Sequence, residues 1–225
     1  MRRLGFWASE RSLSLLAAVI VLSVFVIGPL TEPHGPGKVV LALAYMAILV
    51  TGIATVSHTL VSKIVIYAVA LLSAVAWAVS LWEDSNLAQA GRTLSSAVFS
   101  LLLSGVVFHH IFRAGHVSVH RISGAVAAYI LIGLVFAFLY DAIERLAPGS
   151  FNFETAGARG IALNDPMAYF SFTTLTTVGY GDVTPQTPLT QSLTNIEALI
   201  GQLFPAILIS RLVALEIMPR ADDES

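Results

Sequence analysis

The residues with the clearest chemical content form the run Asp165-Pro-Met-Ala-Tyr-Phe-Ser-Phe-Thr-Thr-Leu-Thr-Thr-Val-Gly-Tyr-Gly-Asp182. Asp165 is suited to cap a helix, and Pro166 to open it at a position that needs no amide hydrogen. That helix can continue to Thr176. It must then stop, because Thr177-Val178-Gly179-Tyr180-Gly181 alternates ordinary residues with glycines that accept positive φ. Carbonyls of Thr177, Val178, Gly179 and Tyr180 aimed at one axis would replace the water around a potassium ion, with the Thr177 hydroxyl completing the innermost site. The helix before them would direct the partial negative charge of its C-terminus at the space below. One chain supplies one quarter of such a ring, so this chemistry calls for a homotetramer.

Non-helical backbone at membrane depth is tolerated only inside protein or along a cavity, so the rest of the chain must supply a membrane scaffold. The composition does so. Of 225 residues, 56% are hydrophobic and only 12% charged, with a mean hydropathy of +0.80, against ~45–50% apolar and ~25% charged in soluble domains. One core of this size cannot hide that excess, which argues against a soluble enzyme. A net charge of −2 lacks the basic footprint of a nucleic-acid binder. The absence of cysteine excludes disulfides and thiolate metal sites.

A spanning helix takes roughly 20 mainly apolar residues. Such runs lie near Leu13–Leu30, Val39–Val56, Ile64–Trp82, Leu94–Phe112, Ser123–Tyr140 and Leu193–Met218. Between the last two, Pro148 to Thr190 is rich in Gly, Pro, Thr and Asn, and its apolar segment Met167–Leu175 is too short to span. The expected fold class is an all-α integral membrane protein with six transmembrane helices, a re-entrant pore helix and a filter. The first run is longer than the apolar core of a signal peptide and no A-x-A-like site follows it, so it reads as a retained helix. Arg2, Arg3, Arg11, Lys63, Arg113, Arg121, Arg211 and Arg220 would share one side, and Lys38, Arg92, Arg145 and Arg159 the other. That asymmetry puts both termini in the cytoplasm. The outer loops would then carry Glu32, Glu83, Asp84, Asp141, Glu144, Glu154, Asp165 and Asp182, which would concentrate cations at the mouth.

Thr177-Val178-Gly179-Tyr180-Gly181-Asp182 resembles the selectivity-filter signature of the potassium channel superfamily. By chance it would arise in a chain this long about once in 10⁵ or less. The resemblance runs from about Ser123 to Ala214 as outer helix, pore helix, filter and inner helix, and the six-helix plan is similar to prokaryotic voltage-gated-like members. It implies a passive potassium-selective channel without enzymatic chemistry or cofactor, potassium being the permeant ligand. It also implies a multi-pass protein of a cell membrane, that of a prokaryotic inner membrane, in contact with lipid and potassium ions and not with nucleic acid. The implied domains are a four-helix sensor-like unit over 1–118, a pore domain over 119–218 and a short cytoplasmic tail over 219–225. A weakly selective cation channel, a potassium transporter subunit and a non-conducting regulatory subunit are the alternatives. The intact Tyr180 and filter glycines, and a single pore repeat, count against the first two.

Two departures stand out. Between Leu94 and Phe112 there is no Arg or Lys, whereas a voltage sensor needs several, each charge contributing about 2.3 kcal/mol per 100 mV. At Thr173, where several family members place a carboxylate to pair with the residue matching Asp182, this chain offers the hydroxyls of Thr173 and Thr174. Glu197, an intramembrane carboxylate, is expected either to pair with Thr173 or Thr174 in support of the filter or to face the cavity. Thr176, Gly201, Gln202 and Pro205 are expected at the cavity or gate. Pro205 cannot donate to the carbonyl of Gly201, so the sixth helix should bend there, as a static kink or as a hinge. His109, His110, His116 and His120 cluster near the fourth span, where proton sensing, metal binding and simple solvation compete as readings.

Overall fold

In lipid a backbone amide finds no partner but another backbone group, so long apolar runs become helices. The computed structural model describes residues 2–31, 36–55, 60–112, 119–153 and 166–217. Its order is α1 (Arg2–Leu22), a π-helical stretch (Ser23–Ile27), α2 (Gly28–Leu30), α3 (Pro36–Thr55), α4 (Leu60–Trp82), α5 (Asn86–Phe112), α6 (Val119–Leu146), β1 (Phe151–Asn152), α7 (Pro166–Leu175), β2 (Thr184–Pro185) and α8 (Pro188–Ile217). Among the described residues, six stretches are long and apolar enough to cross a membrane: Ser12–Leu30, Pro36–Ile53, Ile64–Trp82, Asn86–Ile111, His120–Leu146 and Pro188–Arg211. The protein is an all-α, multi-pass membrane protein, with the six spans the sequence leads one to expect.

The first span contains a feature the hydropathy pattern does not reveal. Pro29 has no amide with which to reach the carbonyl of Phe25, and the turn ahead of it widens into the π-helical stretch, closed by the Gly28 amide on the Ser23 carbonyl. Two spans begin well before their apolar runs. Helix α5 starts at Asn86 rather than Leu94, because the Ser85 hydroxyl accepts the Ala88 amide at 3.3 Å. Its next polar residues turn inward on their own helix: Thr93 donates to Gln89 O, and Ser95 and Ser96 to Arg92 O. Helix α8 starts at Pro188 rather than Leu193, where the Thr187 hydroxyl accepts the Thr190 amide at 3.3 Å and Pro188 sits where no donor is needed.

Helix α6 is the axis of the fold, packing against α1 and α5 on one side and against α7 and α8 on the other. Lipid is as apolar as leucine, so helix association here rests on close packing and buried hydrogen bonds rather than on a hydrophobic driving force. The buried serines Ser95, Ser96, Ser100 and Ser104 give α5 a small-residue face. Ser73 donates to the Ser95 carbonyl at 2.9 Å, and Trp77 Nε1 donates to Ser96 Oγ at 3.2 Å, joining α4 to α5. A second, smaller cluster of Phe136, Tyr140, Phe151, Met167, Phe170 and Val183 seats the short helix α7 against α6. Within it the rings of Tyr140, Phe151 and Phe170 meet pairwise at 5.3–5.4 Å. β1 pairs with β2 antiparallel, Phe151 opposite Pro185 and Asn152 opposite Thr184, which ties the chain before α7 to the chain beyond Asp182.

Candidate functional site

The ten residues of α7 end in a Schellman motif. The Thr177 amide donates to the Thr174 carbonyl at 2.9 Å, and the Val178 amide donates to the Thr173 carbonyl, also at 2.9 Å. Such a motif needs its first residue beyond the helix in the left-handed region, normally a glycine. Here it is Thr177, at φ 61°, a β-branched residue where the left-handed region costs roughly 1–2 kcal/mol. Gly179 at φ 53° and Gly181 at φ 76° follow, while Val178 and Tyr180 keep negative φ. The sequence accounts for the two glycines. It does not announce the strained threonine.

The alternation has a geometric consequence. The Gly179 amide also donates to the Thr173 carbonyl, at 3.1 Å, so two successive amides converge on one acceptor. Across a trans peptide the carbonyl points opposite to the amide. The carbonyls of Thr177 and Val178 therefore both turn away from α7, toward the side on which residues 176–181 are exposed in a single chain. Thr176 returns its hydroxyl to the Phe172 carbonyl at 2.6 Å.

Support for this strand comes from residues the sequence did not single out. Tyr169 donates to Asp182 Oδ2 at 2.7 Å, and its ring stacks on Tyr180 at 6.3 Å with the planes 2° apart. Tyr169 stands one turn before Thr173, so a phenol on α7 holds Asp182 where a threonine hydroxyl is too short to reach. Thr173 spends its hydroxyl on the Phe170 carbonyl at 3.0 Å, and Thr174 is buried. Glu197 is fully buried and pairs with neither threonine. Its Oε2 accepts from Tyr140 on α6 at 2.8 Å, and its Oε1 lies 2.5 Å from Ser171 Oγ on α7. Ser171 lies one turn before Thr174, on the part of α7 where α6 and α8 meet, and there the carboxyl finds it. A hydroxyl-bearing residue one turn upstream of each expected partner was the available signal.

Residues 126–216 match the family described as ion channel. Over 97 residues the chain is 33% identical to the inward rectifier potassium channel Kirbac3.1 of Paramagnetospirillum magnetotacticum, a match covering 41% of this chain and 28% of that relative. No solved structure matches. Residues 126–216 are thus similar to an ion-channel domain, and the likeness to a potassium channel over part of the chain supports the potassium channel superfamily. That family is one of channels, not of enzymes.

The matched stretch includes most of α6, all of α7, and α8 up to residue 216. Gly201 on α8 is buried against the end of α7. A Cβ there would lie 1.8 Å from the Leu175 carbonyl oxygen, which also accepts from Tyr129 of α6 at 3.0 Å. Gly201 is therefore a close-approach position between α8 and the end of α7. Gln202 is exposed, and Pro205 sits half-buried inside a helix that continues to Ile217.

Outside the matched stretch, Arg92 lies within α5 and near its N-terminal end. Its Nε donates to Gln89 at 3.0 Å, and its guanidinium rests 4.6 Å from the centre of the Trp77 ring. Among the described residues, His120 is not gathered with His109 and His110 into one site. His110 Nδ1 lies 3.0 Å from the Val106 carbonyl, and His120 Nδ1 lies 2.8 Å from Ser14 Oγ of α1. Among the described residues no three His, Asp or Glu side chains form a metal-binding group. Asp165, Arg113, His116 and the tail at 219–225 lie outside the described residues.

Proposed function

We propose that this protein is a potassium-selective channel in which four copies place Thr177, Val178, Gly179, Tyr180 and Gly181 around a common axis. The observation that carries the reading is the shared direction of the Thr177 and Val178 carbonyls, away from α7 and toward the open side of the strand. Two carbonyls of one chain cannot dehydrate an ion, but rings of such carbonyls from four chains replace a potassium hydration shell. The C-terminus of α7, where the helix dipole leaves partial negative charge, lies at the base of the same strand and favours a cation below the ring.

The supporting roles follow from position. Asp182, held by Tyr169, fixes the outer end of the filter, and Glu197 with Ser171 fixes the pore helix behind it. Thr173 anchors the turn through its carbonyl rather than its hydroxyl, and Thr174 fills the space beneath. Thr176 and Gln202 line the inner cavity. Pro205 leaves the Gly201 carbonyl without its helical donor, which makes this turn of α8 the point where the lower half of the helix swings at the gate. Residues 1–118 form a peripheral four-helix unit, 119–218 the pore and 219–225 a cytoplasmic tail. Both termini lie in the cytoplasm of a prokaryotic inner membrane, and conduction is passive and needs no cofactor.

Flux tests this directly. Purified protein in lipid vesicles loaded with potassium chloride should take up tracer rubidium, and Gly179→Ala should stop it, because a Cβ opposes the φ of 53° found at this residue. Uptake by the alanine variant at the parent rate would reject the filter assignment.

A further inference from the structure

Ser171 Oγ has two short oxygen neighbours, the Gly133 carbonyl of α6 at 2.7 Å and Glu197 Oε1 of α8 at 2.5 Å. A hydroxyl carries one hydrogen, and a carbonyl carries none. If Ser171 donates to Gly133, the hydrogen between Ser171 and Glu197 must belong to the carboxyl group. We propose that Glu197 is held as a neutral carboxylic acid, and that its proton completes a chain running from Tyr140 through Glu197 and Ser171 to the Gly133 carbonyl. In that chain Tyr140 donates to Oε2, the Oε1 hydroxyl donates to Ser171, and Ser171 donates to Gly133. Every oxygen is satisfied and no charge is left in the protein.

The surroundings agree with a neutral group. Glu197 is fully buried within one chain, so the argument does not depend on assembly. The groups that face it are Tyr140 and Tyr129 from α6 and Ser171 from α7, none of them a cation at neutral pH. Arg211, on the same helix, lies about 21 Å further along at 1.5 Å per residue. Arg145 is bound to Asp141 at 2.7 Å. A buried carboxylate without a cation partner is strongly disfavoured.

The consequence concerns the pore helix. Glu197 joins α6, α7 and α8 at one point, and Ser171 lies one turn from the residues whose carbonyls hold the filter turn. If the acid loses its proton to bulk water, Ser171 can satisfy either the carboxylate or Gly133, not both. One short contact then becomes two facing oxygens, and α7 loses a tie to α6 or to α8. Glu197 is thus a positioning residue whose support is present while it is protonated and lost as pH rises.

The test uses the full chain in lipid vesicles, compared with Glu197→Gln, whose amide donates to Ser171 and accepts from Tyr140 at any pH. Infrared difference spectra at neutral pH should show the carbonyl stretch of a protonated carboxylic acid in the parent and its loss in Glu197→Gln. A pair of carboxylate bands in its place overturns the proposal. The thermal midpoint of the parent should fall at alkaline pH while that of Glu197→Gln changes less; parallel profiles overturn the positioning role. Glu197→Leu should lose midpoint at every pH, since it leaves the buried Tyr140 hydroxyl without its carboxyl acceptor and removes the tie from α8 to Ser171. Neither readout requires conduction, so their failure is distinct from a failure of the channel reading on which the link to the filter rests.

Discussion

At Gly201 one hydrogen atom sets how closely α8 can approach the end of the pore helix. In an ordinary membrane helix, replacing glycine with alanine is neutral or favourable, since glycine costs roughly 0.5–1 kcal/mol of backbone freedom. Here the sign reverses, because the new Cβ would lie 1.8 Å from the Leu175 carbonyl oxygen, and backbone cannot move aside as a side chain can. Gly201→Ala should destabilise the protein by ~1–3 kcal/mol, as overpacking does. A thermal midpoint at or above the parent's would show that α8 retreats at no cost. The Tyr169 to Asp182 bond is a milder case. Tyr169→Phe keeps the ring over Tyr180 but removes a hydrogen bond worth about 0.5–1.5 kcal/mol, so current should decay faster during sustained opening. Unchanged decay would mean that Asp182 is held by other contacts.

Among the elements, legibility followed the physics of each signal. The spans and the positive-φ glycines beyond α7 were readable because apolar length and the glycine alternation are local properties of the chain. Tyr169, Ser171 and Tyr140 were not, since their roles arise only where α6, α7 and α8 meet, and no spacing along the sequence encodes that meeting. The early starts of α5 and α8 had a local signal, a serine or threonine cap at Ser85 and Thr187, that the apolar runs obscured. The strain at Thr177 had none, because only the helix ending fixes it. Helix α5 also bears on voltage. Its one basic residue among Lys and Arg is Arg92, stacked on Trp77 near the N-terminal end of the helix. A sensor of this kind has little charge to move across the field. Conductance should therefore vary only weakly with membrane potential, and a curve as steep as several charges per subunit would show that another element carries the sensor.

On the scale of the molecule, burial is unevenly distributed. In an apolar 18-residue stretch of the span His120–Leu146, 56% of the residues are buried within one chain, against only 11% in that of Pro188–Arg211. Ile196, Leu199, Leu203, Ile207 and Ile209 of α8 are all exposed, on the helix that the filter reading places nearest the axis. Copies of the chain are the natural cover for an inner helix so bare, and a closed ring leaves no face unpaired. Cross-linking in mild detergent should stop at a tetramer, and a stable conducting monomer or dimer would contradict the ring. The central claim, that the carbonyls of residues 177–180 form a potassium filter, is tested most directly by reversal potentials with potassium on one side of the bilayer and sodium or rubidium on the other. Potassium and rubidium should permeate far better than sodium. A sodium-to-potassium permeability ratio near one would contradict it.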